Sequence, residues 1–229
     1  MMMGCINLGG YKVISFDKIP STQTFALNMV AAGRASDHVA IVAQAQSAGR
    51  GRYRRTWVSH HGNVYASFIF NADERDPRIA YSVAVAVAET IISYGIMPQI
   101  KWPNDILIDG AKVCGILIEY AGPFVIVGIG VNIKTNPTVD AYQTTRLDKY
   151  MADISVTDFL GRLMRQLDKW MKRDFASVRA RWMDLAIAIK TTVKYRGANV
   201  ELIEINSDGA LVLRDGAQYF LAWGDEIGT

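Results

Sequence analysis

QIKWPNDILIDGAKVCGILIEYAGPFVIVGIGVNI, from Gln99 to Ile133, carries four β-like segments in close succession: QIKW, DILID, KVCGILIEY and FVIVGIGVNI. Asp109-Gly110, between the second and third, is a hairpin-turn signal. Two polar clusters interrupt the apolar runs, Lys101-Trp102-Pro103-Asn104-Asp105 and Gly128-Ile129-Gly130-Val131-Asn132. These runs predict four successive strands, and the flanking sequence says what accompanies them.

Upstream, YSVAVAVAETIISYG fits a strand or a tightly packed helix equally well, because Val and Ala alternate. Its flanks favour a helix over 77–94, with Asp76 as N-cap, Pro77 at the first helical position and Gly95 as the stop. Further back lie β-like runs at 63–71, 38–46 and 11–17, with about ten residues ahead of the first. Between the last two, Ser21 and Thr22 supply a hydroxyl cap to a helix that carries Phe25, Leu27 and Met29 and ends near Gly33. Downstream, Ser155-Val-Thr-Asp158 resembles a capping box, and Phe159, Leu160, Leu163, Met164, Leu167, Trp170 and Met171 recur at helical spacing as core packing. After about Ala188 short strands resume, with turn signals at Asp208-Gly209 and Asp215-Gly216. The order predicts an α+β fold: a mixed central sheet flanked by helices over 1–187, and a small barrel-like β-domain over 188–229.

The 229 residues are half hydrophobic and carry 25 Lys+Arg against 22 Asp+Glu, a net charge of +3. A dedicated nucleic-acid binder shows a larger basic excess. Cys5 and Cys114 lie far apart with no metal-ligand spacing, as expected of reduced thiols in the cytoplasm. No apolar run reaches membrane-spanning length and no signal-peptide pattern opens the chain.

The positive charge is local. SAGRGRYRRTW, from Ser47 to Trp57, places Arg50, Arg52, Arg54 and Arg55 among Gly49, Gly51, Tyr53 and Trp57. Such a loop suits a nucleic-acid patch or a closing loop over one small anion; the small net charge favours the anion. Taken singly, the other polar clusters have plain readings too. Ser21-Thr22 is a helix cap, Lys112 a solvated hairpin lysine, Asn104-Asp105 a turn, and Gly128 and Gly130 permit close strand packing.

Together they read differently. Gln46 ahead of GRGR, with Arg55 and Trp57 after it, then KWPND, a lysine seven residues beyond its Asp, and GIGVN form an ordered set. It resembles the biotin protein ligases from Tyr11 to the C-terminus. That family condenses biotin with ATP to biotinyl-5′-adenylate and then passes biotin to one lysine of a biotin carboxyl carrier domain.

The resemblance implies a class II synthetase-like catalytic domain with a small SH3-like β-barrel. It places biotin among Ser21, Thr22, Gln23, Gln46, Gly49, Arg50, Gly51, Arg52, Trp57, Lys112 and Gly115. ATP falls to Arg50, Arg52, Lys101, Asn104, Asp105, Lys112 and Asn132. Lys112, Arg50 and Asp105 are the implied catalytic residues, with Asp105 either holding Mg²⁺ or positioning the acceptor lysine. Many members have a glycine soon after GRGR where this chain has Tyr53-Arg54-Arg55-Thr56, so a more cationic and less flexible loop is expected. The loop is expected to be mobile when empty and to fold over the adenylate. With only about ten residues before the first strand, the monofunctional form is expected, without a DNA-binding domain; the oligomeric state stays open, with a homodimer as one option. The rival readings are a lipoate or octanoate ligase of the same fold, an arginine-rich nucleic-acid-binding module, and a silent biotin-binding scaffold.

Overall fold

The computed structural model describes residues 2–72, 74–187, 189–223 and, by backbone alone, 227–228. Eight strands form the main sheet: β1 (Met2–Leu8), β2 (Tyr11–Ile19), β3 (Val39–Gln46), β4 (Val64–Asn71), β5 (Gln99–Lys101), β6 (Asp105–Ile108), β7 (Ala111–Ala121) and β8 (Phe124–Val131). Their order is β1-β2-β3-β4-β8-β7-β6-β5. Only β2 and β3 pair in parallel, and α1 (Thr22–Ala31) makes the crossover that this pairing demands. The stretch from Gln99 to Ile133 is the β5-β6-β7-β8 meander, with Asp109 and Gly110 both at positive φ (50° and 76°) in its hairpin turn.

One expectation is corrected at the start of the chain. The first strand precedes Tyr11: β1 pairs with β2 through a turn in which Gly9 and Gly10 take φ of 57° and 87°. Two glycines between apolar runs permit that geometry without a Cβ clash.

Helix α2 (Ile79–Ile92) replaces the expected 77–94. Asp76 is not its N-cap; its carboxylate takes the Arg78 N–H at 2.8 Å and closes the turn ahead of the helix. The alternating Val and Ala are buried on every side because α2 lies between the sheet and the helices α3 (Val156–Met171) and α4 (Phe175–Leu185). Ser155 caps α3 as expected, accepting the Asp158 N–H at 3.3 Å. Asp174 starts α4 by accepting from Ser177 N–H at 2.8 Å, so the helical region divides at 172–174.

The remaining strands, β9 (Thr191–Tyr195), β10 (Ala198–Ile205), β11 (Leu211–Asp215), β12 (Gln218–Ala222) and β13 (Ile227–Gly228), form a separate antiparallel sheet. It is joined to the helices by Tyr81, whose hydroxyl donates to Gly209 O at 2.7 Å, and by Arg179, which bonds Ile205 O and Glu204. Ala188, where the pattern changes in the sequence, lies outside the described residues.

The two faces of the main sheet are covered unequally. Helices α2 to α4 cover one face with the larger apolar cluster. The other face has the short α1, over Ile14, Phe16, Ile41, Ile69 and Ile126. Beyond α1 this face opens into a cavity.

Candidate active site

Glycines make the floor. Gly115 on β7 pairs with Gly130 on β8, and the same row continues to Asp105 on β6 and Tyr65 on β4. A Cβ at Gly130 would stand 2.5 Å from Trp57 Cε2 and Nε1, and one at Gly115 would stand 2.8 Å from Trp57 Cζ3. At Gly128 it would meet Gln23 Oε1 at 2.6 Å. The glycines therefore allow Trp57 and Gln23 to lie directly on the sheet backbone. Above them is a cavity of about 480 Å³, within the size range of small-molecule sites.

One end is a hydrogen-bonded set of neutral groups. Gln46 Oε1 accepts from the Thr22 N–H at 2.8 Å and its hydroxyl at 3.2 Å, while Gln46 Nε2 donates to Ser59 Oγ at 2.9 Å. The Ser67 hydroxyl lies 2.9 Å from both Thr22 Oγ1 and Gln23 Oε1, and it has one proton for the two. Ser21 keeps its plain role, accepting the Thr24 N–H at 3.3 Å as the α1 cap, and also lines the cavity. Tyr65 shares this wall; burial pushes its phenol up to about 12, with the Asn63 amide opposing, so it remains a neutral donor to His60 O at 2.8 Å. Sequence reasoning missed Ser59 and Ser67. Ser67 did carry a signal, as the one small polar side chain among the aliphatic and aromatic side chains of VYASFIF.

The other end is charged. Lys112 Nζ lies 2.6 Å from Asp105 Oδ1, 5.4 Å from the Trp57 ring centre and 5.2 Å from that of Tyr142. A β-bulge aims it there. Asp105 pairs with Gly115 and Ile106 with Cys114, but Leu107 pairs with Lys112, leaving Val113 as the extra residue. Strict alternation from Gly115 would have turned Lys112 to the core side with Cys114; the bulge turns it to the cavity side. A strap at 143–145 fixes the bulged strand, through Lys112 N–H to Gln143 O and Thr145 N–H to Lys112 O, both 2.9 Å.

The arginine loop is folded across the opening. Gly51 N–H donates to Arg55 O at 2.8 Å and Trp57 N–H to Gly49 O at 2.9 Å, making a small hairpin tipped by Tyr53 and Arg54 at φ of 54° and 59°. Arg50 is paired with Glu119, at 2.8 Å. Arg52 lines the cavity, its guanidinium 5.5 Å from the Tyr53 ring centre.

Of the residues that the resemblance assigns to biotin, ATP or catalysis, all but Gly49 and Asn132 line this cavity; of the four loop arginines, Arg54 does not. Gly49 instead makes room for the Trp57 carbonyl, which a Cβ would strike. Asn104 ties the turn after Trp102-Pro103 to β7, with Nδ2 donating to Ile116 O and Ile116 N–H to its carbonyl, both 2.9 Å. Asn132 faces a second cavity of about 20 Å³ behind Trp57, bordered also by Thr56, Lys112 and Tyr142. Its Nδ2 donates to Thr145 O at 3.0 Å, while its Oδ1 and the Trp57 Nε1 are buried without partners among the described residues.

The family model for the biotin/lipoate A/B protein ligases matches residues 15–136, which include both ends of the cavity. The chain belongs to that family. The family match leaves out the strap and the second sheet, but likeness to individual relatives extends further. A bifunctional ligase/repressor, BirA, of Bacillus subtilis is 32% identical over 89% of this chain and 70% of its own length. A biotin–[acetyl-CoA-carboxylase] ligase of Paracoccus denitrificans is 29% identical over 77% of this chain and 84% of its own. The fold is that of a biotin protein ligase from Aquifex aeolicus in complex with biotin and ATP (TM-score 0.85, 23% identity, 94% of this chain and 97% of that one). A biotin protein ligase from Leishmania major with biotinyl-5-AMP is also similar (TM-score 0.70, 23% identity, 93% and 98% covered).

The donor set of this family member does not suit a divalent cation on its own. Asp105 is the one acidic residue lining the main cavity, and Lys112 occupies its carboxylate. Among the described residues no three His, Cys, Asp or Glu side chains cluster as metal ligands. Magnesium takes near-octahedral oxygen donors and commonly relies on carboxylates together with substrate phosphates. No helix among the described residues is long and apolar enough to cross a membrane.

Proposed function

We propose that the chain is an ATP-dependent biotin protein ligase, which forms biotinyl-5′-adenylate and transfers biotin to a lysine of a biotin carboxyl carrier domain. The observation that carries this reading is the polarity of one cavity, with neutral donors and acceptors at one end and Lys112 at the other. A ureido head needs both donors and acceptors. Thr22, Gln23, Gln46 and Ser67 present them around a pocket from which an unpaired polar group is excluded at a cost of about 1–3 kcal/mol. The acid tail then runs over the glycine floor, beside Trp57, to Lys112.

There the biotin carboxylate oxygen attacks the α-phosphorus, its bond forming as the bond to pyrophosphate breaks. Lys112 Nζ stabilises the negative charge on the oxygens in flight. Asn132 and Trp57 take the nucleobase: the unpartnered Asn132 Oδ1 accepts from an exocyclic amine, and the indole stacks. In the second step the carrier amine attacks the acyl carbon and AMP leaves, with Asp105 holding that amine while Lys112 stays on the phosphate. Mg²⁺ would arrive with the ATP phosphates, which would supply most of its oxygen donors. In this reading the second sheet belongs to an SH3-like barrel domain, with domain bounds at 1–187 and 188–229.

Biotin-dependent exchange of pyrophosphate into ATP tests the assignment without a carrier. Exchange is expected with biotin and not with lipoate or octanoate, which lack a ureido group and leave the neutral end unpaired. Equal exchange with lipoate would overturn it.

A further inference from the structure

The arginine loop is attached to β7 at two points. Trp57 lies on Gly115, and Arg50 Nη2 donates to Glu119 Oε1 at 2.8 Å. Gly115 and Glu119 are four residues apart on one strand, so both anchors rise from the same face of the sheet, spaced by about 13 Å. The first anchor is a matter of shape, the second of charge.

Glu119 is an unusual surface acid. Its side chain is 28% exposed, yet its Oε2 is buried and has no partner among the described residues. Among the described residues, Arg50 is the cation that meets this carboxylate, which is half withdrawn from water. Removing one member of such a pair leaves the other poorly solvated, which gives the contact more weight than a freely exposed ion pair. The loop needs such a contact. Its tip holds two adjacent non-glycine residues, Tyr53 and Arg54, in the left-handed region, where each resists the hairpin conformation.

We propose that Glu119 is a positioning residue that latches the 49–57 loop: it holds Arg50, and through Arg50 the loop, across the cavity. Its effect falls on how long the activated intermediate is retained, and not on how fast it forms. Glu119 does not line the cavity and touches none of the reacting atoms placed there. The consequence for the adenylate rests on the function proposed above; the latch itself does not.

The experiment uses the whole chain as wild type, Glu119→Gln and Glu119→Asp. The ligand-free arm is limited trypsin digestion, scored at Arg52, Arg54 and Arg55. Glu119→Gln keeps the shape and removes the charge, and should speed cleavage about five-fold; Glu119→Asp should fall between it and wild type. Raising salt from about 0.05 to about 0.5 M should speed cleavage in wild type and leave Glu119→Gln unchanged, relative to a control peptide. Cleavage that is equal in all three proteins and insensitive to salt would overturn the latch, and the salt response of wild type decides the matter even where a variant folds poorly.

The second arm isolates enzyme-bound biotinyl-adenylate and follows its release. Release should be about five-fold faster from Glu119→Gln, with pyrophosphate exchange within about two-fold of wild type. Slower exchange with unchanged release would overturn the proposal in favour of a role in adenylation. If wild type forms no adenylate, the ligase reading fails, and the trypsin arm still decides the latch.

Discussion

Lys112 Nζ and Asp105 Oδ1 lie 2.6 Å apart across neighbouring strands, and a one-residue bulge at Val113 brings them together. Each fixes the other before substrate arrives. The lysine is held at the cavity wall by a carboxylate and by two aromatic rings, which reduces the reorganisation needed as phosphate charge develops.

Lys112→Ala should lower single-turnover adenylation by two to three orders of magnitude, about 2.7–4 kcal/mol of transition-state stabilisation. Lys112→Arg should not restore it, because a planar fork replaces a point charge beside Asp105. Near-wild-type adenylation in the alanine protein would make the lysine an ordinary hairpin residue.

Gly130→Ala should displace the Trp57 ring, since the new methyl stands 2.5 Å from Cε2 and Nε1. Forcing a methyl into that contact costs about 1–3 kcal/mol. A changed tryptophan emission together with weakened biotin and ATP binding is the expected result. Unchanged emission and unchanged affinity would show that the glycine floor does not seat the indole.

Asn132 should discriminate the base. An acceptor at Oδ1 welcomes the amine of adenine and opposes the carbonyl of inosine, so ATP should be preferred over inosine triphosphate by at least about ten-fold. Asn132→Ala should narrow that ratio and raise KM for ATP while leaving biotin affinity within about two-fold. A ratio that survives the substitution would place the base elsewhere.

Tyr65 gives a signed alkaline test. Burial raises its folded phenol to about 12 from the ordinary value of 10.0, so the folded state holds the proton more tightly than the unfolded chain. That contribution to stability is complete below pH 10 and is lost as pH rises through 12. At pH 8 Tyr65→Phe should be less stable by about 1 kcal/mol, from loss of the hydroxyl bond to His60 O. Between pH 10 and 12 wild type should lose stability relative to the variant, by roughly 2–3 kcal/mol at most. Denaturant midpoints that run parallel over the whole range would contradict the burial of an ionisable phenol.

The meander from Gln99 to Ile133, the Ser155 cap, the turn at Asp109-Gly110 and most polar groups of the cavity are legible in the chain read in order. These are local matters: strand runs, caps and turn residues act on their own neighbours, and the polar groups stand out because the strands around them are apolar. Even β1 was written in Gly9-Gly10, between two apolar runs.

Other features depend on register and on contacts between distant segments, and these emerge only in the folded chain. No spacing rule announces that Val113 is bulged, yet that one residue turns Lys112 from the core side to the cavity side. Gly128 and Gly130 read singly as packing glycines, and only the paired strands show Gln23 and the Trp57 ring lying on them. Arg50 and Glu119 are 69 residues apart, so the pair that anchors the loop exists only once β7 lies beneath it. Side-chain direction and long-range pairing are properties of the assembled sheet, and a single chain read in order contains them only implicitly.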